Sequence, residues 1–253
     1  MFRPFALVLS LVVLAPSVHA APPLAQVEVT TCGQVVPNRT VGYLTADLDC
    51  TGFTGGPANV HWTDSGAAVY LQKKSSLDLR GFTLTGGDRH AVLCDALLCD
   101  RNRFCAKGPC EVFGGTLVAS AQYSNGIVGW QPNVHDVTVS GFWIGLVSHK
   151  RLTLTNATVD DSQSAGVMGK GLRIASSTIT DSVQFGVIAN NTQGARLRLT
   201  DSTVTGSGTA PFCTGPSPCA DVASVQEPRL VRTTCDTSFS FDHGPNWGVC
   251  AND

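Results

Sequence analysis

The chain has 253 residues, with 17 Lys and Arg against 19 Asp and Glu, and only 14% of its side chains are charged. So slight an acidic balance gives no reason to expect a nucleic-acid partner. The 26 glycines, with abundant Thr, Ser and Val, argue for closely spaced β-turns and against a helical bundle.

Residues 1–20 read as a signal peptide. Arg3 supplies the positive start, Phe5 to Leu14 an apolar run too short to span a bilayer, and Val18-His19-Ala20 the small residue that a signal peptidase requires. Removal of those residues leaves a chain with 16 basic and 19 acidic side chains and no transmembrane segment. The expectation is a single exported domain, secreted or periplasmic/extracellular, and monomeric.

All ten cysteines lie beyond the signal. An even count in an oxidising compartment reads as disulfides, and the sequence-local pairs are Cys32 with Cys50, Cys94 with Cys99, Cys105 with Cys110, Cys213 with Cys219, and Cys235 with Cys250. Zinc at Cys94, Cys99, Cys105 and Cys110 is the competing reading, but the spacing contains no CxxC.

Residues 21–66 read as an N-terminal cap and first coil, with a strand-like stretch around Val41, Tyr43, Leu44 and Leu48. From residue 67 to 207 one pattern returns about every 20 residues: an aliphatic, a short turn, then Thr followed by a second aliphatic. Leu154 to Val159, Ile174 to Ile179 and Leu199 to Val204 share this offset, with Thr158, Thr178 and Thr203 before the second anchor. Leu79 to Leu84, Val112 to Leu117 and Val134 to Val139 repeat it. A second marker keeps step, at Gly126-Ile127, Gly145-Leu146, Gly166-Val167 and Gly186-Val187.

The period predicts about three short strands per coil and columns of like residues on successive coils roughly 4.8 Å apart, with Leu154, Ile174 and Leu199 in one file. A cysteine-rich insertion at 87–110 lengthens one coil, and residues 208–253, rich in Pro, Gly and Cys, read as a disulfide-tied C-terminal cap. A leucine-rich repeat is excluded by the lack of helix formers, and a hexapeptide helix by spacings of 20 and 25 residues. The predicted fold is all-β, a right-handed parallel β-helix solenoid of about seven coils.

The run Leu77-Asp78-Leu79-Arg80-Gly81-Phe82-Thr83-Leu84-Thr85-Gly86, the Gly-aliphatic steps and Thr138-Val139-Ser140-Gly141-Phe142 resemble the right-handed parallel β-helix proteins of the pectin-lyase-like superfamily over about residues 65–207. Cys32-Gly33 and Trp247-Gly248-Val249-Cys250 look like the caps of its secreted bacterial members. The resemblance implies a fold shared by polysaccharide lyases, hydrolases, epimerases and adhesive proteins, and leaves activity open. The Trp-x-Asp-His segment of classical pectate lyases has no counterpart, because Trp62-Thr63-Asp64 runs on to Ser65. No catalytic residue of the family is carried over.

Two groups of side chains fall at equivalent coil positions. Asp161 and Asp181 follow their anchors by two residues, with Asp160 beside the first, so stacking would set carboxylates about 5 Å apart, suited to calcium or to an acid and base pair. The alternative is ordinary turn chemistry, which selects Asp anyway. Lys150 and Lys170 precede their anchors by nine residues and Arg173 and Arg198 by six, with Arg151 and Arg196 near by. Stacked, they form a basic stripe that would pair with the carboxylates of a polysaccharide or cell-surface glycan, or supply the base of a lyase or epimerase. Solvated charge that keeps an exposed sheet soluble is the bland alternative.

Trp62, Trp130, Trp143 and Trp247 are candidate sugar platforms or corner fillers. His61, His90, His135, His149 and His243 share no spacing. No nucleotide loop, serine elbow, zinc motif or acidic calcium nonapeptide occurs, so no cofactor is expected, calcium excepted.

Overall fold

In a computed structural model of the chain, which describes residues 24–57, 65–94, 108–189, 196–208, 219–242 and 246–251, 22 strands join in one parallel sheet and no helix occurs among the described residues. The sheet winds into three faces, a parallel β-helix. In the coil that starts at Leu152, face A is the end of the strand Ile144–Thr155, face B is Thr158–Asp160, and face C opens the strand Ala165–Ala175, which bends on into face A of the next coil.

The columns follow from pairing register. On face A, Gly42, Leu77, Val112, Val134, Leu154, Ile174, Leu199 and Leu230 are successive Cα partners. Face B aligns Leu84, Leu117, Val139, Val159, Ile179, Val204 and Cys235, and face C aligns Val69, Val92, Ile127, Leu146, Val167, Val187 and Val222. Most of these side chains are fully buried, so three aliphatic files make up the core. Outside face B runs an unbroken ladder of Thr83, Thr116, Thr138, Thr158, Thr178, Thr203 and Thr234, β-branched side chains stacked on a pleated surface.

The glycine markers have a steric cause. A Cβ added at Gly145, Gly166 or Gly186 would lie 2.6 to 2.7 Å from the carbonyl oxygen of Gly166, Gly186 or Asp221 on the following coil, and one at Gly126 would meet that of Gly145. The corner holds backbone against backbone, and only glycine fits. The turn between faces A and B instead needs a left-handed residue. Gly114, Asp136, Asn156, Ser176, Asp201 and Arg232 occupy it in turn, with φ between 48° and 78°. Conformation, and not one residue type, is what recurs there.

Three details depart from the sequence reading. In the coil of Leu84 the face A anchor is Leu77, not Leu79, because Leu77 pairs with Val112. Leu79 is also fully buried, at a longer turn where Arg80 and Gly81 are both left-handed, and so imitates an anchor. Second, the expected insertion begins later than residue 87: His90–Cys94 is an ordinary rung of face C, paired on both sides.

Third, Cys94 pairs with Cys110, not Cys99, at a Cα separation of 5.9 Å. The bond joins the last residue of the face C rung His90–Cys94 to the second residue of the strand Pro109–Val118; Leu93 and Cys110 pair with Val128 and Pro132 on the next coil, so the two cysteines flank one corner between faces C and A. Cys99 and Cys105 lie outside the described residues. Cys32 with Cys50 and Cys235 with Cys250 pair as expected; Cys219 is disulfide-bonded, and Cys213 lies outside the described residues. These disulfides fit an oxidising compartment.

Face A carries nine rungs from Ala25–Glu28 to Arg229–Val231, and the winding continues through Ser238–Ser240 on face C. The count of about seven rises because the first coils wind without the Thr and Gly markers and the last keeps Thr234 but has Asp221 at the glycine position. At the last coil the glycine column ends in Asp221, which is buried. Its Oδ1 accepts the backbone N–H of Ser207 at 2.9 Å, and its Oδ2 those of Asp236 at 2.8 Å and Thr237 at 3.1 Å. A single buried carboxylate thus satisfies three backbone N–H groups at that corner.

Candidate functional site: a cationic groove on face A

Strand alternation turns Leu152, Leu172 and Leu197 inward together with the Leu154 file, so the residues between them point out. That outward position reads Thr153, Arg173, Arg198, Arg229 on four successive coils, each the Cα partner of the next. Two residues earlier, Arg151, Gly171 and Arg196 form a parallel column. Between Ser148 and Arg151 the register slips, so His149 and Lys150 together oppose Lys170, and this bulge turns Lys150 outward at the corner between faces C and A. The backbone N–H groups of Lys150 and Arg151 both donate to the Trp130 carbonyl, which holds the bulge.

These seven cations line one groove of about 640 Å³, with Gln226 and Glu227 from the following coil. All seven are exposed. Among the described residues none has a carboxylate within ion-pair distance. Elsewhere Arg232 is bidentate to Asp201, and Arg80 lies 3.8 Å over the Tyr43 ring with Asp78 beside it, while Arg39, Lys73 and Lys74 also have no carboxylate within ion-pair distance among the described residues. The Arg232 guanidinium holds the Asp201 carboxyl below its ordinary value.

The aspartates are elsewhere. Asp161 and Asp181 occupy the turn between faces B and C in the left-handed conformation, at the position where Gly141 and Gly206 stand on neighbouring coils. Asp160 ends its strand beside Ser140. None of the three lines the groove, and no group of three His, Cys, Asp or Glu able to hold a metal ion occurs among the described residues. Their recurrence therefore follows from turn conformation.

The aromatic side chains also stand apart. Trp143 packs at a tilt on Tyr123, with ring centroids 5.2 Å apart, Trp130 lies beside His149, and the Trp247 backbone N–H donates to Ser238. His90 is nearly buried and close to Asn125. Trp62, His61 and His243 lie outside the described residues.

Two groups were not apparent from spacing. Arg229 joins the cation column 31 residues after Arg198, and its signal is the repeated Arg-Leu step at Arg198-Leu199 and Arg229-Leu230. The other is a cluster toward the N-terminal end of the same face. Its centre is His135, whose Nδ1 lies 2.7 Å from Asp136 and Nε2 3.3 Å from Glu111, with its ring stacked on Phe113 at 5.0 Å. Hydrogen bonds from His135 and then Asn156 hold the Asp136 carboxyl below its ordinary value. Asn133 and Ser76 also donate to Glu111. Face A therefore changes sign along its length, from Glu111 through the neutral Asn133 and Thr153 to Arg173.

The chain matches no family model, no curated protein and no solved structure. No helix long and apolar enough to cross a membrane occurs among the described residues.

Proposed function

We propose that this protein is an exported, noncatalytic β-helix that binds an acidic polysaccharide, such as a surface glycan, along face A. The observation that carries this reading is the set of seven cations without an ion pair on four adjacent coils, with Arg173, Arg198 and Arg229 in direct register. Like charges directly opposite one another in a sheet disfavour folding, and a polyanion reverses that sign by supplying charge-assisted hydrogen bonds to each guanidinium. The disulfides and the sequence of residues 1–20 support export. The winding and the Thr and Gly ladders support kinship with the pectin-lyase-like superfamily.

A lyase or epimerase acting on uronates would use the same groove, with Lys150, Lys170 or an arginine as the base. Besides its cations, the groove has one titratable side chain among the described residues, the carboxylate of Glu227, which such a mechanism would enlist as the partner acid or base. The test has two readouts on the purified full chain. Calorimetry with polygalacturonate, alginate and chondroitin should show binding that weakens with added salt and is lost in an Arg173→Gln, Arg198→Gln double variant. Absorbance from new unsaturated uronate should stay flat with and without calcium; a rising signal would replace the binding reading with the lyase.

A further inference from the structure

We infer that face B binds ice, through two ranks of outward side chains of which the first is the unbroken threonine ladder. This goes beyond the glycan reading and does not depend on the groove of face A.

Sheet formation alone does not account for the ladder. β-Branched residues suit any pleated surface, yet the corresponding outward rank of face A changes from coil to coil, from Ser76 through Glu111, Asn133 and Thr153 to Arg173. On face B the position is threonine on seven successive coils, from Thr83 to Thr234, and no register slip interrupts it. Such uniformity suits a partner that is itself uniform and repeating. The hydroxyls are also available to it. None of the seven has a hydrogen-bond partner among the described residues, whereas the hydroxyls of Thr45, Thr51 and Thr233 donate to Glu28, Asp49 and the Val231 carbonyl.

Ice is the repeating partner that this chemistry fits. At a rung spacing of about 4.8 Å the ladder runs for about 29 Å, and a second rank about 6.6 Å away along each strand carries hydroxyls at Thr85, Ser140, Thr180 and Thr205. The two ranks make a rectangular net, as do the oxygens on the prism faces of ice. Each threonine gives water a hydroxyl to bond and a methyl group to enclose, and its branched Cβ holds both in few rotamers. Charge would orient water away from such a lattice, and the first rank carries none. In the second rank Asp160 interrupts the hydroxyls, but its Oδ1 is buried without a hydrogen bond, so the fold makes no use of that atom. Neither rank holds an aromatic ring to stack on the sugars of a crystalline polysaccharide.

The experiment grows ice slowly on a cold finger from a dilute solution of the full chain and compares protein in the ice with protein in the remaining liquid, with serum albumin as the excluded comparison. Wild type should be enriched in the ice. Thr178→Tyr raises a ring from the middle of the flat rank and should reduce that enrichment several-fold, because rigidly linked contacts fail together. Asp160→Thr completes the second rank and should increase it. Lys73→Gln, at the turn between faces C and A, should match wild type. Circular dichroism and thermal melts check that each variant folds. Exclusion of the wild type along with albumin overturns the inference, as does a Thr178→Tyr protein enriched as strongly as wild type or an Asp160→Thr protein enriched no more strongly. Retention on microcrystalline cellulose or chitin, together with exclusion from ice, overturns it in favour of a crystalline glycan. None of these outcomes bears on the groove, which calorimetry with soluble uronates tests separately.

Discussion

Arg173 and Arg198 are Cα partners on adjacent coils, and no carboxylate neutralises either of them among the described residues. Two guanidiniums held in register repel each other, so Arg198→Gln should stabilise the unliganded protein by a few tenths to about 1 kcal/mol. Added salt should raise the melting temperature of the wild type more than that of the variant, because screening relieves the same repulsion. Thermal melts at low and high ionic strength check this. A variant less stable than wild type at low salt would show that the arginine has a partner within the fold.

Ile179 is fully buried in the face B file between Val159 and Val204. Ile179→Ala should cost about 2 to 5 kcal/mol in denaturant unfolding. Ile179→Asp should prevent folding of the middle coils, since a carboxylate there has neither water nor a partner. Its outward neighbour Thr178 is exposed, and Thr178→Val should change stability by no more than about 0.5 kcal/mol.

Gly166→Ala places a methyl group 2.7 Å from the Gly186 carbonyl oxygen, where the obstacle is backbone and cannot swing aside. The expected loss is about 1 to 3 kcal/mol. Gly52→Ala is the informative contrast, because nothing lies within 4 Å of the added group but the left-handed φ of 72° remains. A Gly166→Ala protein as stable as wild type would remove the close-approach account of the marker glycines.

Disulfide mapping of an unreduced digest should recover Cys94 joined to Cys110. Replacing both by Ser should cost about 3 kcal/mol by the loop-closure estimate for a loop of this size. A peptide joining Cys94 to Cys99 would restore the sequence-local pairing.

Asp201 has its pKa depressed by Arg232, so the pair's contribution is fully present above the ordinary carboxylate pKa of about 3.9 and is lost as pH falls through the lower folded value. Asp201→Asn should therefore melt slightly below wild type at neutral pH, and the two curves should converge in strong acid. Both side chains are well exposed, which keeps the effect small.

The core was legible in the sequence because each buried file repeats at a fixed offset and nothing else can sit there: Leu154, Ile174 and Leu199 were found by spacing alone. The Thr ladder was legible for the same reason. Leu79 misled because a buried turn residue looks like a strand residue when only hydrophobicity is read. Cys94 with Cys110 is not legible from spacing, because proximity along the chain is not proximity in space: the two flank one corner, where the next coil passes from Val128 to Pro132 in four residues. Asp161 and Asp181 recur as faithfully as the arginines, but what recurs is a backbone conformation that Gly141 and Gly206 satisfy equally well. The cluster of His135, Glu111 and Asp136 has no periodic signal, since His135 and Glu111 each occur on one coil only and Asp136 shares a turn position that Asn156, Ser176 and Asp201 also fill.

Asp221 terminates the glycine column through bonds confined to Ser207, Asp236 and Thr237. Its backbone pairs with the Phe185–Ala189 rung alone among the coils before it, so the terminus needs one coil beneath it and no particular number of them. A whole turn duplicated between Gly145 and Gly186 would therefore leave the terminus intact while adding one more position to the row of positive charge. A molecule built on this plan can change the span of polymer it grips by gene duplication alone, without redesigning the end that keeps it folded.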